Sequence, residues 1–154
     1  MAEHSSEIST LNTLIATTID SINGYEDAAA HSEAGRFQQI FRDRASERQR
    51  VVEDLRSEVR RLGGDPEDAG SFLGKAHQAF FGLKAAITGR DEQSIINEVE
   101  RGEDYLKEKW QAALQSGDLR GPTHDLVERC YQSIKSGHDQ MSQLKHGLEA
   151  RSQS

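Results

Sequence analysis

The apolar positions of this chain recur at steps of three and four residues, the period of helices that bury one side. The first stripe is Ile8, Leu11, Ile15, Ile19 and Ile22, with Leu14, Thr18 and Tyr25 alongside. It predicts a helix capped by Ser6 or Ser9 and running to about Ala34, with a turn at Gly35. Glu26 continues the line through 15, 19 and 22, so it is expected at the inner edge of that stripe. The second stripe is Phe37, Phe41, Val51, Leu55, Val59 and Leu62, stopped by Gly63 and Gly64. Its middle is polar: between Phe41 and Val51 the inward positions are Arg44, Glu47 and Arg48. A stripe that turns charged at mid-length holds either a site or a network of ion pairs.

Three more helices follow. Leu73, Ala76, Phe80, Leu83 and Ile87 predict one over Phe72 to Thr88, in which Gly74 and Gly82 permit close packing. Asp91 can cap a fourth, reaching about Gln115, with Ile95, Ile96, Val99, Leu106, Trp110 and Ala113 inward and Glu103 in line with them. After Pro122, a Thr123 cap starts the fifth, with Val127, Cys130, Ile134, Met141 and Leu148 inward and His138 on the same face. Short turns near 35 and 119 make two antiparallel hairpins. A third helix of roughly 25 Å can travel between them, so that helices two and four run in the same direction. The expected architecture is an all-α four-helix bundle with a helical crossover, as one domain over 7–150, between a flexible stretch at 1–6 and a tail at 151–154.

Composition narrows the function classes. The length suits one domain with a real core, and two prolines and no alternating apolar runs argue against a sheet. A net charge of −7 disfavours nucleic acid as the partner, because a phosphate backbone requires a basic face. The arginines between Arg42 and Arg61 are interleaved with acids and read as a solvated, salt-bridged face. No apolar run is long enough to span a membrane, and the opening MAEHSSEIST has no basic or apolar leader region, so a cytoplasmic protein is expected. Cys130 is the only cysteine, which excludes an intrachain disulfide, and its place in a core stripe predicts an inert thiol. His77 is expected to be packed in the third helix. No phosphate-binding loop or nucleophile motif appears, so no residue is assigned a catalytic role.

The segments LNTLIATTIDSINGYEDAA, RLGGDPEDAGSFLGKAHQAF and GLKAAITGRDEQSIINEVERGEDYLKEKWQAAL resemble the bacterial ferritin-like family known as domain of unknown function 2383. The resemblance extends from Leu11 to Leu148. It implies a ferritin-like bundle and, by analogy, a stress-related role, but no particular reaction.

Di-iron bundles of the ferritin-like type use one Glu on each of two helices and a Glu-x-x-His pair on each of the other two. Against that pattern, Glu47 stands at a ligand position, but Arg50 occupies the place of its His. His138 is present on the fifth helix, but Lys135 occupies the place of its Glu. Glu100 or Glu103 can serve on the fourth helix, and Asp20 or Glu26 on the first. Partners across the first hairpin should sum to about 70, which sets Arg44 opposite Glu26, Arg50 opposite Asp20, and Glu47 opposite residue 22–23. Across the second hairpin, His138 falls level with residue 101.

Two ligand positions have thus become cations, which repel a metal dication and can pair with the remaining carboxylates. The leading expectation is a metal-free network of Asp20, Glu26, Arg44, Glu47, Arg48, Arg50 and Lys135, with no cofactor. The alternative is a weakened iron or manganese site from Glu47, Glu100, Glu103 and His138, handling oxygen or peroxide or storing metal. A third reading is a module that binds a protein or a membrane surface, which an exposed patch including Phe72, Phe80 or Phe81 would favour. Self-association and an unidentified protein partner are compatible with the first and third readings.

Overall fold

The computed structural model describes residues 4–32, 36–67 and 92–153. Within them are four helices: α1 (Ser5–His31), α2 (Arg36–Arg61), α3 (Glu92–Gln115) and α4 (Gly121–Gln153). The chain is an all-α four-helix bundle, with no strand among the described residues. The helix expected over 72–88, with His77, Phe80 and Phe81, lies outside them.

In the four described helices the stripes read from sequence are the buried faces, with Ile8, Ile19, Phe37, Leu62 and Leu148 partly buried against them. Leu11, Ile15, Tyr25, Leu55, Val59, Leu106, Trp110, Val127, Ile134 and Met141 have no exposed surface. They form one core with Leu14, Phe41, Val52, Ile95, Ile96 and Val99. Burying this apolar surface, rather than helix propensity, is what stabilises helices so rich in charge.

The helix ends follow local chemistry, with three departures from expectation. Gly63 adopts φ +88°, and the Gly64 amide donates to the Val59 carbonyl at 2.9 Å while the Gly63 amide donates to Arg60 at 3.0 Å. That is the Schellman arrangement, in which a left-handed residue turns the chain and satisfies the last carbonyls. Helix α1 starts at Ser5, after His4 at the cap with no side-chain capping bond, so neither Ser6 nor Ser9 caps it. Helix α4 starts at Gly121 rather than behind a Thr123 cap. Pro122 sits in its first turn, where a missing N–H costs nothing. The Thr123 hydroxyl is used elsewhere, donating to Glu58 Oε2 at 2.5 Å. Helix α4 also runs to Gln153, past the point where a tail was expected.

Helix α1 packs on α2 and α3, and α4 packs on α3 and α2. The hydrogen bonds at one end fix the directions. Glu7 accepts from the Arg120 amide at 3.2 Å, and Thr10 donates to Asp118 at 3.4 Å, so the start of α1 meets the α3–α4 turn. Glu58 meets Thr123, so the end of α2 meets the start of α4. Helices α2 and α3 therefore run parallel, and Arg61 and Glu92 lie at opposite ends of the bundle. Asn12 anchors the chain leaving α2, donating to the Asp65 carbonyl at 3.1 Å and accepting from the Glu67 amide at 2.8 Å.

Candidate functional site

At mid-length all four helices contribute to one polar layer. Arg48 of α2 enters the core with no exposed surface. Its Nη1 donates to Glu103 Oε1 at 2.8 Å and to Ser21 Oγ at 2.6 Å, and its Nη2 donates to Glu103 Oε2 at 2.7 Å. Glu103 is equally buried, so this is a two-pronged ion pair out of water. The guanidinium carbon lies 5.4 Å from the centroid of the Tyr25 ring, whose face favours a cation. Arg48 Nε has no acceptor among the described residues.

Helix α4 contributes Gly137. A Cβ there would run into Arg48 Nη2 and come within 3.5 Å of Arg48 Cζ and Glu103 Oε2. The absence of a side chain is what lets the guanidinium lie against the α4 backbone. Burial alone would lower the Arg48 pKa, but the facing Glu103 carboxylate more than offsets this, and the guanidinium stays charged. Burial, reinforced by the negative charge of Glu103, pushes the Tyr25 phenol well above its ordinary value.

The other expected members of the network lie around this layer, not in it. Arg44 is half-buried and turns toward α4, with Nε donating to Gln140 at 2.8 Å and Nη2 reaching Ser136 at 3.4 Å. Its Nη1 donates to Glu47 at 2.7 Å, a neighbour on its own helix rather than Glu26 across the hairpin. Glu26 is exposed, because α1 places it past the inner edge of the stripe. Arg50 is exposed too, two residues and about 200° around α2 from Arg48. Lys135 is on the surface, 3.7 Å from Asp139. Asp20 is buried. Sequence reasoning named Arg48, and Tyr25 as an anchor for a polar network in the core, but missed Ser21 and Gly137 as neighbours of Arg48. A lone glycine in the middle of an amphipathic helix was the signal for close approach.

A second cluster lies on the α3–α4 flank. His138 Nε2 is 2.5 Å from Asp104 Oδ1 and 3.9 Å from Glu100 Oε2. His138 Nδ1 is 3.1 Å from Asp139 Oδ1. Lys145 Nζ donates to Glu100 Oε1 at 3.4 Å. One donor atom each from Glu100, Asp104 and His138 lie within 4.8 Å of one another, the spacing at which three groups can share a metal ion. The hydrogen bond with His138 is the main reason the Asp139 carboxyl sits below its ordinary pKa. Of the four ligands in the metal alternative, Glu100 and His138 come together here. Glu103 is taken by Arg48, and Glu47 by Arg44. Asp104, which the ligand pattern did not single out, supplies the third donor.

No helix among the described residues is long and apolar enough to cross a membrane. No curated protein matches the chain. The family model described as "Domain of unknown function (DUF2383)" matches residues 6–116, which takes in α1, α2 and α3 with both Arg48 and Glu103. The chain belongs to the DUF2383 family.

Proposed function

We propose that this protein is a non-catalytic, ferritin-like bundle whose central layer is held by an ion pair in place of a metal, and that it acts through its surface or by self-association. One observation carries the reading: Arg48, fully buried, uses two nitrogens to engage both oxygens of Glu103 at 2.7 and 2.8 Å. A guanidinium at the middle of the layer repels a dication and already engages both oxygens of Glu103. Glu47 has turned to Arg44 and is more than a third exposed, which also counts against a central di-iron or di-manganese ligand set. The net charge of −7 supports a protein rather than a nucleic acid as the partner of that surface.

The test is metal loading and oxygen chemistry on full-length protein prepared without an affinity tag. Incubation with Fe²⁺ or Mn²⁺, followed by oxygen or peroxide, is expected to give no iron oxidation above buffer. Any metal retained should be insensitive to Glu47→Gln, a half-exposed change that leaves the core intact. Stoichiometric iron or manganese lost on Glu47→Gln, or rapid iron oxidation, overturns the proposal.

A further inference from the structure

The flank cluster is chemically distinct from the central layer. Glu100 and Asp104 are one helical turn apart on α3, so their carboxylates project from the same line, and His138 meets them from α4. Nitrogen and oxygen donors around a divalent transition metal at 2.0–2.2 Å stand roughly 3.4 Å apart in tetrahedral geometry. The Nε2–Asp104 separation of 2.5 Å and the Nε2–Glu100 separation of 3.9 Å bracket that value, and all three donors lie within 4.8 Å of one another. Asp104 is half-exposed, whereas Glu100 and His138 are mostly buried.

Two further contacts shape the cluster: one orients the imidazole, and the other, from a lysine, adds a positive charge that opposes a dication. Asp139 bonds Nδ1 and so orients the imidazole with Nε2 toward the carboxylates, as the outer carboxylate does for metal-bound histidines. Lys145 holds one oxygen of Glu100 and leaves the other facing His138. Asp104 already meets Nε2 in the metal-free arrangement, and a metal ion would take the place of that direct contact. We propose that Glu100, Asp104 and His138 form a mononuclear site for a borderline divalent transition metal such as Zn²⁺ or Co²⁺, its remaining position open to water on the exposed side. The imidazole selects this class over Mg²⁺ and Ca²⁺, which take oxygen-only sets. The site lies outside the Arg48 layer and does not depend on the central layer being metal-free.

The experiment titrates tag-free, full-length protein with Co²⁺, read by its visible absorption, and with Zn²⁺, read by calorimetry. One saturable equivalent is expected. Asp104→Asn and His138→Gln should each weaken binding about 30-fold or more, while Glu47→Gln leaves it unchanged. Asp104→Asn decides the matter if His138→Gln melts the bundle by circular dichroism, since the Asp104 side chain is half in water. Absence of saturable Co²⁺ binding below about 1 mM, or wild-type affinity in Asp104→Asn, overturns the site. Binding lost on Glu47→Gln but not on Asp104→Asn overturns this site and the non-metal reading of the centre together.

Discussion

Gly137→Ala is the sharpest probe of the central layer, because two opposing effects predict opposite signs. In an exposed helix interior, Ala is more favourable than Gly by about 1 kcal/mol. At Gly137 the new methyl would collide with Arg48 Nη2 and crowd Glu103 Oε2. Overpacking a core typically costs about 1–3 kcal/mol. If the guanidinium is pushed off its partner, the cost rises toward the roughly 3–5 kcal/mol of a broken buried pair. The net expectation is a loss of about 1–4 kcal/mol, despite the better helix former. Gly147 is the internal control: it lies on the same helix, it is exposed, and an added Cβ meets nothing within 4 Å. Gly147→Ala should gain about 0.5–1 kcal/mol. Urea unfolding followed by far-ultraviolet circular dichroism, with unchanged slope as the condition for comparing midpoints, measures both. A third measurement isolates the mechanism. In an Arg48→Leu/Glu103→Leu background the obstructing guanidinium is gone, and Gly137→Ala should become neutral or stabilising. If Gly137→Ala stabilises the unaltered chain as Gly147→Ala does, the close approach of Arg48 to α4 does not limit packing and the reasoning fails.

Arg48→Met alone should cost about 3–5 kcal/mol, because it leaves Glu103 charged and buried, and Arg48→Met/Glu103→Leu should recover most of that loss; urea midpoints check the pair. Glu58 gives the pH dependence: hydrogen bonds from Arg61, opposed by burial and aided by Thr123, hold its carboxyl below the ordinary 4.5. Its stabilising contribution is therefore complete above that value and lost as pH falls through the lower folded one, so Glu58→Gln should flatten the acid limb of stability against pH. Burial pushes the Cys130 thiol up to about 11 from 9.0, so native alkylation by iodoacetamide at pH 8 should be about 100-fold slower than in urea. A native rate equal to the unfolded one would refute that placement. Gly137→Ala should also weaken Co²⁺ binding at the flank, although it touches none of the three donors.

The four described helices were legible because their apolar stripes are long and regular, and because Gly63 carries an unambiguous stop. The centre was legible only in part. Setting residues that sum to about 70 opposite each other puts Arg48 level with residue 22, and its observed partner is Ser21. The same arithmetic put Arg44 opposite Glu26, but level is not direction. Glu26 faces water, and Arg44 reaches Gln140 and Ser136 on α4, across a helix interface that hairpin arithmetic does not cover. The ion pair with Glu103 crosses the bundle between hairpins, where no turn length sets the register. On the flank, His138 was placed level with residue 101, and the structure sets it between Glu100 and Asp104. Asp104 escaped notice because a ligand pattern built on Glu-x-x-His does not look one residue past Glu103.

That adjacency ties the two clusters together. Consecutive residues on a helix point about 100° apart, so Glu103 faces the core while Asp104 faces the flank. On α4, Gly137 faces the core while His138 faces the flank. The rotation of α3 and α4 about their axes is fixed where Arg48 grips Glu103 and lies against Gly137. That rotation is also what brings Asp104 and His138 into contact. Buried pairs are weak sources of net stability, but their best-attested use is to select one register among several. Here the register has an external consequence. A rotation of α3 by one residue would turn Glu103 out of the core and, in the same movement, carry Asp104 away from His138. The charged interruption in the apolar stripe of α2 thus bears on the register of α3 and α4, and with it on the contact between Asp104 and His138 across the opposite hairpin.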